Sequence, residues 1–211
     1  MFRCYSGTEI TLEMIRQAVS IDKQVYSSDF QGIYEACIKW WEKNPYIYVM
    51  VEDCDAKKIV GYINAIPLSD TYYNNIRNGD IVDTKLPLEE IKVYHNNERY
   101  KLYFSSIAIH PDYQNTTVFK TLLNGFKQHV SHLQSKGIFF SNVIADVVSD
   151  MGGKLCKHFG LKYVQDSKHN SKIYEGKLND YRERYKRIGE SENFKKHYEG
   201  KSLGEVIEID C

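Results

Sequence analysis

The stretch SSIAIHPDYQNTTVFKTLLNGF, residues 105–126, decides the fold of this chain. It starts as an apolar, β-branched run, passes through the polar loop His110-Pro111-Asp112-Tyr113, and continues as an amphipathic segment. Apolar residues recur there at helical spacing, which predicts a helix with one buried face: Phe119, Leu122, Leu123, Phe126, Val130 and Leu133. We therefore predict a buried strand that leads through a tight loop directly into a helix.

A helix that opens from a polar loop is a favourable place for an anion. Its first backbone N–H groups have no partner inside the helix, and they share the positive end of the helix dipole. Phosphate and pyrophosphate groups bind at such helix starts. Small polar side chains that can cap the helix or touch a phosphate precede it: Gln114, Asn115, Thr116 and Thr117.

The segments around this junction predict a mixed α/β sheet with helices on both faces. Strand and helix patterns alternate from residue 100 to 164, and such βαβ order makes part of the sheet parallel. The β-branched and aromatic runs at 46–51 and 59–66 predict an antiparallel hairpin, which Pro67 is expected to end. Further predicted elements are a strand at 2–5, helices at 8–26 and 31–43, a long connection at 68–98, a strand at 138–146, a helix at 148–159 and closing strands at 161–164 and 173–177.

Composition is that of an ordinary globular protein. The chain has 211 residues, 42% hydrophobic and 27% charged, which suits one core of generous size. Lys+Arg and Asp+Glu balance at 28 each, so no global positive field favours nucleic acid or an anionic membrane. No run reaches the ~18 apolar residues of a membrane span, and the N-terminus shows no apolar signal region. We expect a cytoplasmic protein with neither nucleic-acid nor membrane partners.

Neither the cysteines nor the histidines predict a bound metal. The five cysteines are widely spaced, odd in number and without a C-x-x-C pair, which argues against disulfides and structural zinc. His129 and His132 have the i, i+3 spacing that can hold a metal on a helix. No third ligand lies near them in sequence, so a solvated helix face is the favoured interpretation.

The junction resembles the coenzyme A-binding segment of the GNAT superfamily of N-acyltransferases. That family has an apolar strand, the loop pattern H/x-P-x-Y-R/Q-x-x-G-x-G/A, and an amphipathic helix with paired leucines. The matching residues here are Ile107-Ala108-Ile109, His110 to Tyr113, Gln114 to Phe119, and Leu122-Leu123. A second match is the strand at 138–146, the helix at 149–159 and the following Gly160-Leu161. The resemblance covers about residues 100–177, and the N-terminal helices and hairpin fit the family's element order.

This resemblance implies a three-layer fold with splayed parallel strands around a central mixed sheet. It implies that an acetyl or other acyl group passes from acetyl-CoA to a primary amine of a small molecule or peptide, by direct attack in a ternary complex. The resemblance implies a domain at 1–177 with a charged extension at 178–211, and it allows a homodimer. The sequence of this extension has a helix pattern and a strand pattern of its own. The cofactor-binding residues that it implies are Ile107, Ala108, Ile109, Gln114, Asn115, Thr116, Thr117, Val118, Phe119, Lys120 and Ser149.

Several positions depart from the family pattern. Gln114 stands for the usual Arg, and Thr117 and Phe119 stand for two glycines that let the backbone approach the pyrophosphate. Ser149 replaces an Asn, and Cys156 replaces the Tyr that often protonates the departing thiolate. Two alternatives to the enzyme therefore stay open: a non-catalytic ligand-binding or scaffolding domain of the same fold, and an adaptor whose 178–211 segment docks on a partner.

The catalytic groups are less clearly marked than the cofactor loop. The Cys156 thiol could give its proton to the leaving thiolate, or pack as a small buried hydrophobe. Backbone N–H groups near Ile107 are candidates to stabilise the oxyanion. No strong base stands out; weak candidates are Glu98, Tyr103 and Ser105, and a turn-capping role is favoured for His110. Trp40-Trp41 and Tyr72-Tyr73 are candidates to line an acceptor groove, with Trp41 expected in the core.

Overall fold

The computed structural model describes residues 1–81 and 86–178 of the chain. The charged segment from 179 onward, with its predicted helix and strand, lies outside the described residues. The helices and strands in chain order are β1 Phe2–Ser6, α1 Leu12–Val25, α2 Tyr34–Lys43, β2 Tyr48–Asp53, β3 Lys58–Leu68, α3 Asp70–Arg77, β4 Arg99–Ile109, α4 Val118–Ser135, β5 Phe139–Val147, α5 Asp150–His158, β6 Lys162–Asp166 and β7 Lys172–Lys177.

The strands form one mixed sheet in the order β1-β2-β3-β4-β5-β7-β6. β4 and β5 are parallel, because α4 carries the chain back across the sheet between them. The other neighbouring strands of this sheet pair antiparallel. The mixed sheet with a central parallel pair that the sequence predicts is thus confirmed.

Helices cover both faces of the sheet. Tyr103 of β4 packs into the core beneath α1, α2 and α3. Its neighbour Phe104 points to the opposite face, because successive side chains of a strand alternate. There the Phe104 ring lies 5.4 Å from Phe126 of α4 and 5.3 Å from Phe159 after α5. The predicted three layers are confirmed, and within residues 1–81 and 86–178 no helix is long and apolar enough to cross a membrane.

Local sequence signals explain where the helices begin and end. The Thr11 side chain accepts a hydrogen bond from the Met14 amide at 3.3 Å, so Thr11 is the N-cap of α1. Gly137 follows α4 with φ +80°, and Gly160 follows α5 with φ +76°. Glycine adopts this left-handed conformation without the steric cost of a Cβ, which is why it ends both helices.

One predicted boundary is wrong. Pro67 does not end β3, which continues to Leu68 and pairs Pro67 with Leu102 of β4. Proline is tolerated here because β2 pairs with β3 only as far as Asn64, so no strand of this sheet needs an N–H from Pro67 on that side. The Pro67 carbonyl accepts a hydrogen bond from the Lys92 amide at 2.8 Å instead.

Candidate active site

The parallel strands β4 and β5 separate towards their carboxyl ends. Phe104 and Ala145 form the last pair in their register, and beyond Ala145 the next β5 residue, Asp146, still pairs with Ile173 of β7. A bulge accompanies the separation: Asn64 of β3 lies opposite Ser106, and Ala65 lies opposite Phe104. Ser105 is the extra residue, and such bulges bend a strand and end its pairing. The result is an opening between the strand ends, which confirms the predicted splayed pair.

The loop after β4 is held in shape by His110. The imidazole is buried, and its Nδ1 accepts a hydrogen bond from the Asp112 amide at 3.3 Å. Its Nε2 lies 2.9 Å from Nζ of Lys58 on the neighbouring strand β3. These contacts give His110 the turn-capping role that the sequence favours. Gln114, Asn115, Thr116 and Thr117 follow this turn beyond the end of β4 and are exposed.

Helix α4 starts directly behind this loop. Thr117 is its N-cap residue, but the Thr117 side chain accepts no hydrogen bond from the helix. The Val118 amide donates to Thr116 Oγ1 at 3.3 Å, and the Thr116 hydroxyl donates to the Tyr113 carbonyl at 2.7 Å. The Val118 amide at the start of the helix therefore has a partner within the protein, while the Thr117 hydroxyl accepts no hydrogen bond from the helix amides. Phe119 is half-buried and does not seal the loop, whose residues remain exposed.

The other residues implied as cofactor contacts lie around the same opening. Ile107 and Ile109 are half-buried on β4 beyond the last strand pair, whereas the Ala108 side chain is buried in the core under α1. Only the Ala108 backbone can therefore face a ligand in the opening. Ser149 is exposed at the N-terminus of α5, and its hydroxyl accepts a hydrogen bond from the Gly152 amide at 3.1 Å.

The predicted acid and bases lie in different environments. Cys156 is buried, and burial raises the pKa of its thiol to about 12. Glu98 precedes β4 at the far end of the strand, where it accepts a hydrogen bond from the Tyr100 hydroxyl at 2.8 Å. Tyr103 is buried in the core. Of these four residues, Ser105 is the one at the opening.

A small cavity lies beside the opening on the α1 and α2 side of the sheet. Its volume is about 30 Å³, and its walls include the apolar residues Phe30, Ile33 and Trp40 together with Asp22, Ser105 and Ser106. Ser105 and Ser106 are the first two β4 residues beyond the last strand pair, so the cavity and the opening meet there.

The aromatic pairs are placed differently from the sequence-based expectation. Trp40 is the buried tryptophan and lines the cavity, while Trp41 is only half-buried. The phase of α2 is the reason, because Trp40 lies three residues after the buried Cys37 on the same helix face. Tyr72 and Tyr73 are buried in the core and are not among the residues that line this cavity.

Sequence reasoning missed a hydrogen-bonded chain at this cavity. The Tyr62 hydroxyl donates to Oδ1 of Asp22, and it lies 2.8 Å from the Ser106 hydroxyl. The Ser106 hydroxyl lies 3.3 Å from that of Tyr26, which in turn lies 3.0 Å from the Ile107 carbonyl. A signal was present in α1: Asp22, at 4% exposure, lies seven residues after the buried Ile15 on the apolar helix face. A carboxylate at such a position needs polar partners in the interior.

Burial shifts the pKa values of one histidine and one tyrosine, His129 and Tyr62. His129 is buried on α4, and burial lowers its pKa to about 4. The favoured solvated face is therefore wrong for His129, although His132 is exposed. Burial, followed by the negative charge of Asp22, raises the pKa of Tyr62 well above its usual value. Tyr62 therefore stays protonated at neutral pH.

Comparison with known proteins relates the chain to others through its fold. No protein-family model matches it, and no curated protein matches it significantly by sequence. The loading GNATL domain of CurA from Lyngbya majuscula superposes with a TM-score of 0.59 at 15% identity, over 84% of this chain and 98% of that domain.

Two further solved structures show the same architecture. NAA60 from Arabidopsis thaliana, in complex with a bisubstrate analogue, gives a TM-score of 0.54 at 10% identity over 85% of this chain and 99% of that one. Ard1 from Thermoplasma volcanium gives 0.54 at 9% identity over 85% and 99%. The chain therefore has the GNAT fold, at 9–15% sequence identity to these three structures.

Proposed function

We propose that this protein is an acyltransferase that moves an acetyl or related acyl group from acetyl-CoA to a primary amine in a ternary complex. The observation that carries this proposal is the opening between β4 and β5 after Phe104 and Ala145. It connects an exposed polar loop at the start of a helix with a small cavity lined by Ser105 and Ser106. In this proposal the acyl carrier and the acceptor would meet at the same strand end.

The residues around the opening fit coenzyme A. Strand ends that have lost their neighbour can hydrogen-bond the amides of an extended pantetheine arm, and open sheets bind ligands at the carboxyl ends of their parallel strands. Ile107, Ala108 and Ile109 of β4 would supply these backbone groups. The exposed loop Gln114 to Thr117, the first turn of α4 through Lys120, and Ser149 would hold the diphosphate and the upper part of the arm. A solved structure with this fold, NAA60 from Arabidopsis thaliana, contains acetyl-CoA.

Acetyl-CoA supplies the acyl group as a thioester, and the chain's own residues bind and orient the two substrates. The backbone of β4 near Ile107 is our candidate donor towards the thioester oxygen, because N–H groups fixed in a strand need no rearrangement to stabilise negative charge. Cys156 is a poor proton donor, since a thiol with a pKa of about 12 gives its proton uphill to an ordinary thiolate of pKa about 8.5. Packing is the role that its burial favours.

The proposal is tested with acetyl-CoA labelled in the acetyl group and a pool of primary amines and peptides. Transfer of label to an amine, with release of coenzyme A, is the expected result. If label reaches no amine and acetyl-CoA does not bind, the proposal is wrong.

A non-catalytic domain of the same fold is the second candidate. It is favoured by Thr117 and Phe119 at positions where the family has glycines, since their side chains restrict how closely a diphosphate can approach. Such a domain would bind acetyl-CoA or another ligand and leave the thioester intact. Measuring coenzyme A release from bound acetyl-CoA in the presence of the amine pool separates the two candidates.

A further inference from the structure

We propose that the cavity beside the opening binds the acceptor as a primary ammonium ion, and that Asp22 receives its proton through Ser106 and Tyr62. The inference rests on the proposed function, because it names the acceptor class and the proton path of that same site. An amine must lose this proton before it can attack a thioester, since an ammonium ion has no lone pair.

The lining of the cavity favours an ammonium ion with an apolar neighbour. An ammonium ion has three N–H donors for the oxygen atoms of this lining, whereas a trimethylated nitrogen has none. Asp22, at 4% exposure, supplies the carboxylate of the lining. A buried carboxylate attracts a cation strongly because water screens the pair poorly. Phe30, Ile33 and Trp40 surround the apolar part of the acceptor next to the nitrogen.

Asp22 is held in a fixed orientation. The Gly32 amide donates to its Oδ2 at 3.2 Å, and the Tyr62 hydroxyl donates to its Oδ1. The two contacts come from the α1–α2 connection and from β3, so the carboxylate cannot turn away from the cavity without breaking one of them. A carboxylate has about four lone-pair positions, so a hydrogen-bonded Asp22 can still take up a proton.

Rotation of one hydroxyl group connects the cavity to Asp22. Tyr62 has a single hydroxyl proton, and it points at Asp22. Ser106 donates to the Tyr26 hydroxyl at 3.3 Å and lies 2.8 Å from the Tyr62 oxygen, so a rotation about its Cβ–Oγ bond redirects this proton to Tyr62. Ser106 is also one of the two β4 residues at which the cavity meets the opening. With the Ser106 hydroxyl turned towards Tyr62, the chain of hydroxyl groups leads from the cavity to Asp22.

The proton step balances along this chain. An N–H bond of the ammonium ion breaks as its proton moves to the Ser106 oxygen, while the Ser106 proton moves to Tyr62 and the Tyr62 proton moves to Oδ1 of Asp22. The products are a neutral amine with a lone pair and an uncharged Asp22, and each hydroxyl again carries one proton. The second proton, lost from nitrogen when the amide forms, leaves with the thiol, and Asp22 returns its proton to solvent before the next turnover.

The ionisable groups that surround this carboxylate come from every element packed against it. They are Tyr26 at the end of α1, Cys37 of α2, Tyr48 of β2 and Tyr62 of β3. A pH profile must therefore be compared between variants that keep all four, so that a difference can be assigned to Asp22.

The first experiment measures kcat/KM for acetyl transfer between pH 6 and 10 with Asp22→Asn and with the wild type. We expect the variant to lose about 100-fold at pH 7, as is typical when a general base is removed. The deficit should shrink towards pH 10, because an alkylamine with a pKa of about 10.4 then arrives uncharged. An unchanged rate, or a loss of equal size at every pH, overturns the proposal.

Two further variants control for folding and for charge. Ser106→Ala interrupts the proton path but keeps the Asp22–Tyr62 contact. Its kcat/KM should therefore be lowered at pH 7 as in Asp22→Asn, and the loss should shrink as the pH rises towards 10. Asp29→Asn removes an exposed carboxylate of the α1–α2 connection and should leave the profile unchanged. If Ser106→Ala has the wild-type profile, the path through Ser106 is wrong.

The second experiment needs no acyl transfer and so fails independently of the proposed function. n-Butylamine is titrated calorimetrically into the protein at pH 7 without acetyl-CoA, and the butyltrimethylammonium ion serves as the control ligand. We expect n-butylamine to bind the wild type at least about 10-fold more tightly than Asp22→Asn, since an ion pair of this kind contributes more than 1.4 kcal/mol. We expect no binding of the trimethylated ion. Equal binding to both proteins, or of both ligands, overturns the proposal.

Discussion

His129 of α4 donates a hydrogen bond from Nε2 to the Tyr46 carbonyl at 2.8 Å, and the two rings stack with centroids 6.3 Å apart. This contact ties the middle of α4 to the chain just before β2. Burial keeps the imidazole neutral, because it lowers the pKa of His129 to about 4, whereas the hydrogen bond to Tyr46 acts in the opposite direction. The charges of His132 and Lys136 lower this pKa as well.

The buried His129 predicts a stability that falls as the pH is lowered. The folded pKa lies below the ordinary value of about 6.5, so the unfolded chain binds more protons between about pH 6.5 and 4 and stability is lost across that window. The shift corresponds to up to about 3 kcal/mol. In urea titrations, the free energy of unfolding of the wild type should fall more steeply from pH 7 to 4 than that of His129→Gln.

His132→Gln is the matched control, since His132 is exposed on the same helix. Its curve should run parallel to that of the wild type. Parallel curves for His129→Gln as well would show that His129 is not held in its neutral form.

Gly125 predicts an overpacking effect at the contact of α4 with β1. A Cβ at this position would lie 2.0 Å from Cys4 Sγ and 3.4 Å from Val49 Cγ1. Gly125→Ala should therefore destabilise the fold by about 1–3 kcal/mol, even though alanine is the better helix former by about 1 kcal/mol. Adding Cys4→Ala removes the closest atom and should restore part of the loss in chemical denaturation.

The exposed Gln128→Ala on the same helix controls for helix propensity and should change stability by less than about 0.5 kcal/mol. A Gly125→Ala protein as stable as the wild type would contradict the close approach of the helix to β1.

Cys156 predicts a separation of stability from activity. The buried thiol should act as a small hydrophobe, so Cys156→Ala is expected to lower the free energy of unfolding by about 1 kcal/mol. Its pKa of about 12 makes proton donation unfavourable, so kcat should change by less than about threefold. A loss of about tenfold or more in kcat, with KM for acetyl-CoA unchanged, would instead give Cys156 the acid role.

Much of the fold follows from local patterns in the sequence. The helical spacing from Phe119 to Leu133 and the turn at His110-Pro111 predict the β4–α4 junction, because both signals lie within a few residues of each other. The parallel pair follows from the βαβ order. Pro67 shows the limit of this reasoning, since its place inside β3 depends on the length of β2, a different strand.

The candidate site is harder to predict because its parts come from separate segments. Asp22, Tyr62 and Ser106 lie on α1, β3 and β4, and a network of single hydrogen bonds leaves no periodic pattern in the sequence. Trp40 and Trp41 are adjacent, so the phase of α2 decides which of them reaches the cavity. The charged face of a helix can be predicted from spacing, but the partner of one buried carboxylate cannot.

Calorimetric titration with acetyl-CoA tests the central proposal, a carrier site with its diphosphate at the start of α4. S-acetyl-N-acetylcysteamine, which has the thioester but no diphosphate, is the matched ligand. We predict that acetyl-CoA binds at least about 100-fold more tightly, since each charge-assisted hydrogen bond to a phosphate contributes about 1.5–3 kcal/mol. Equal affinity for the two ligands, or no binding of acetyl-CoA at millimolar concentration, would contradict it.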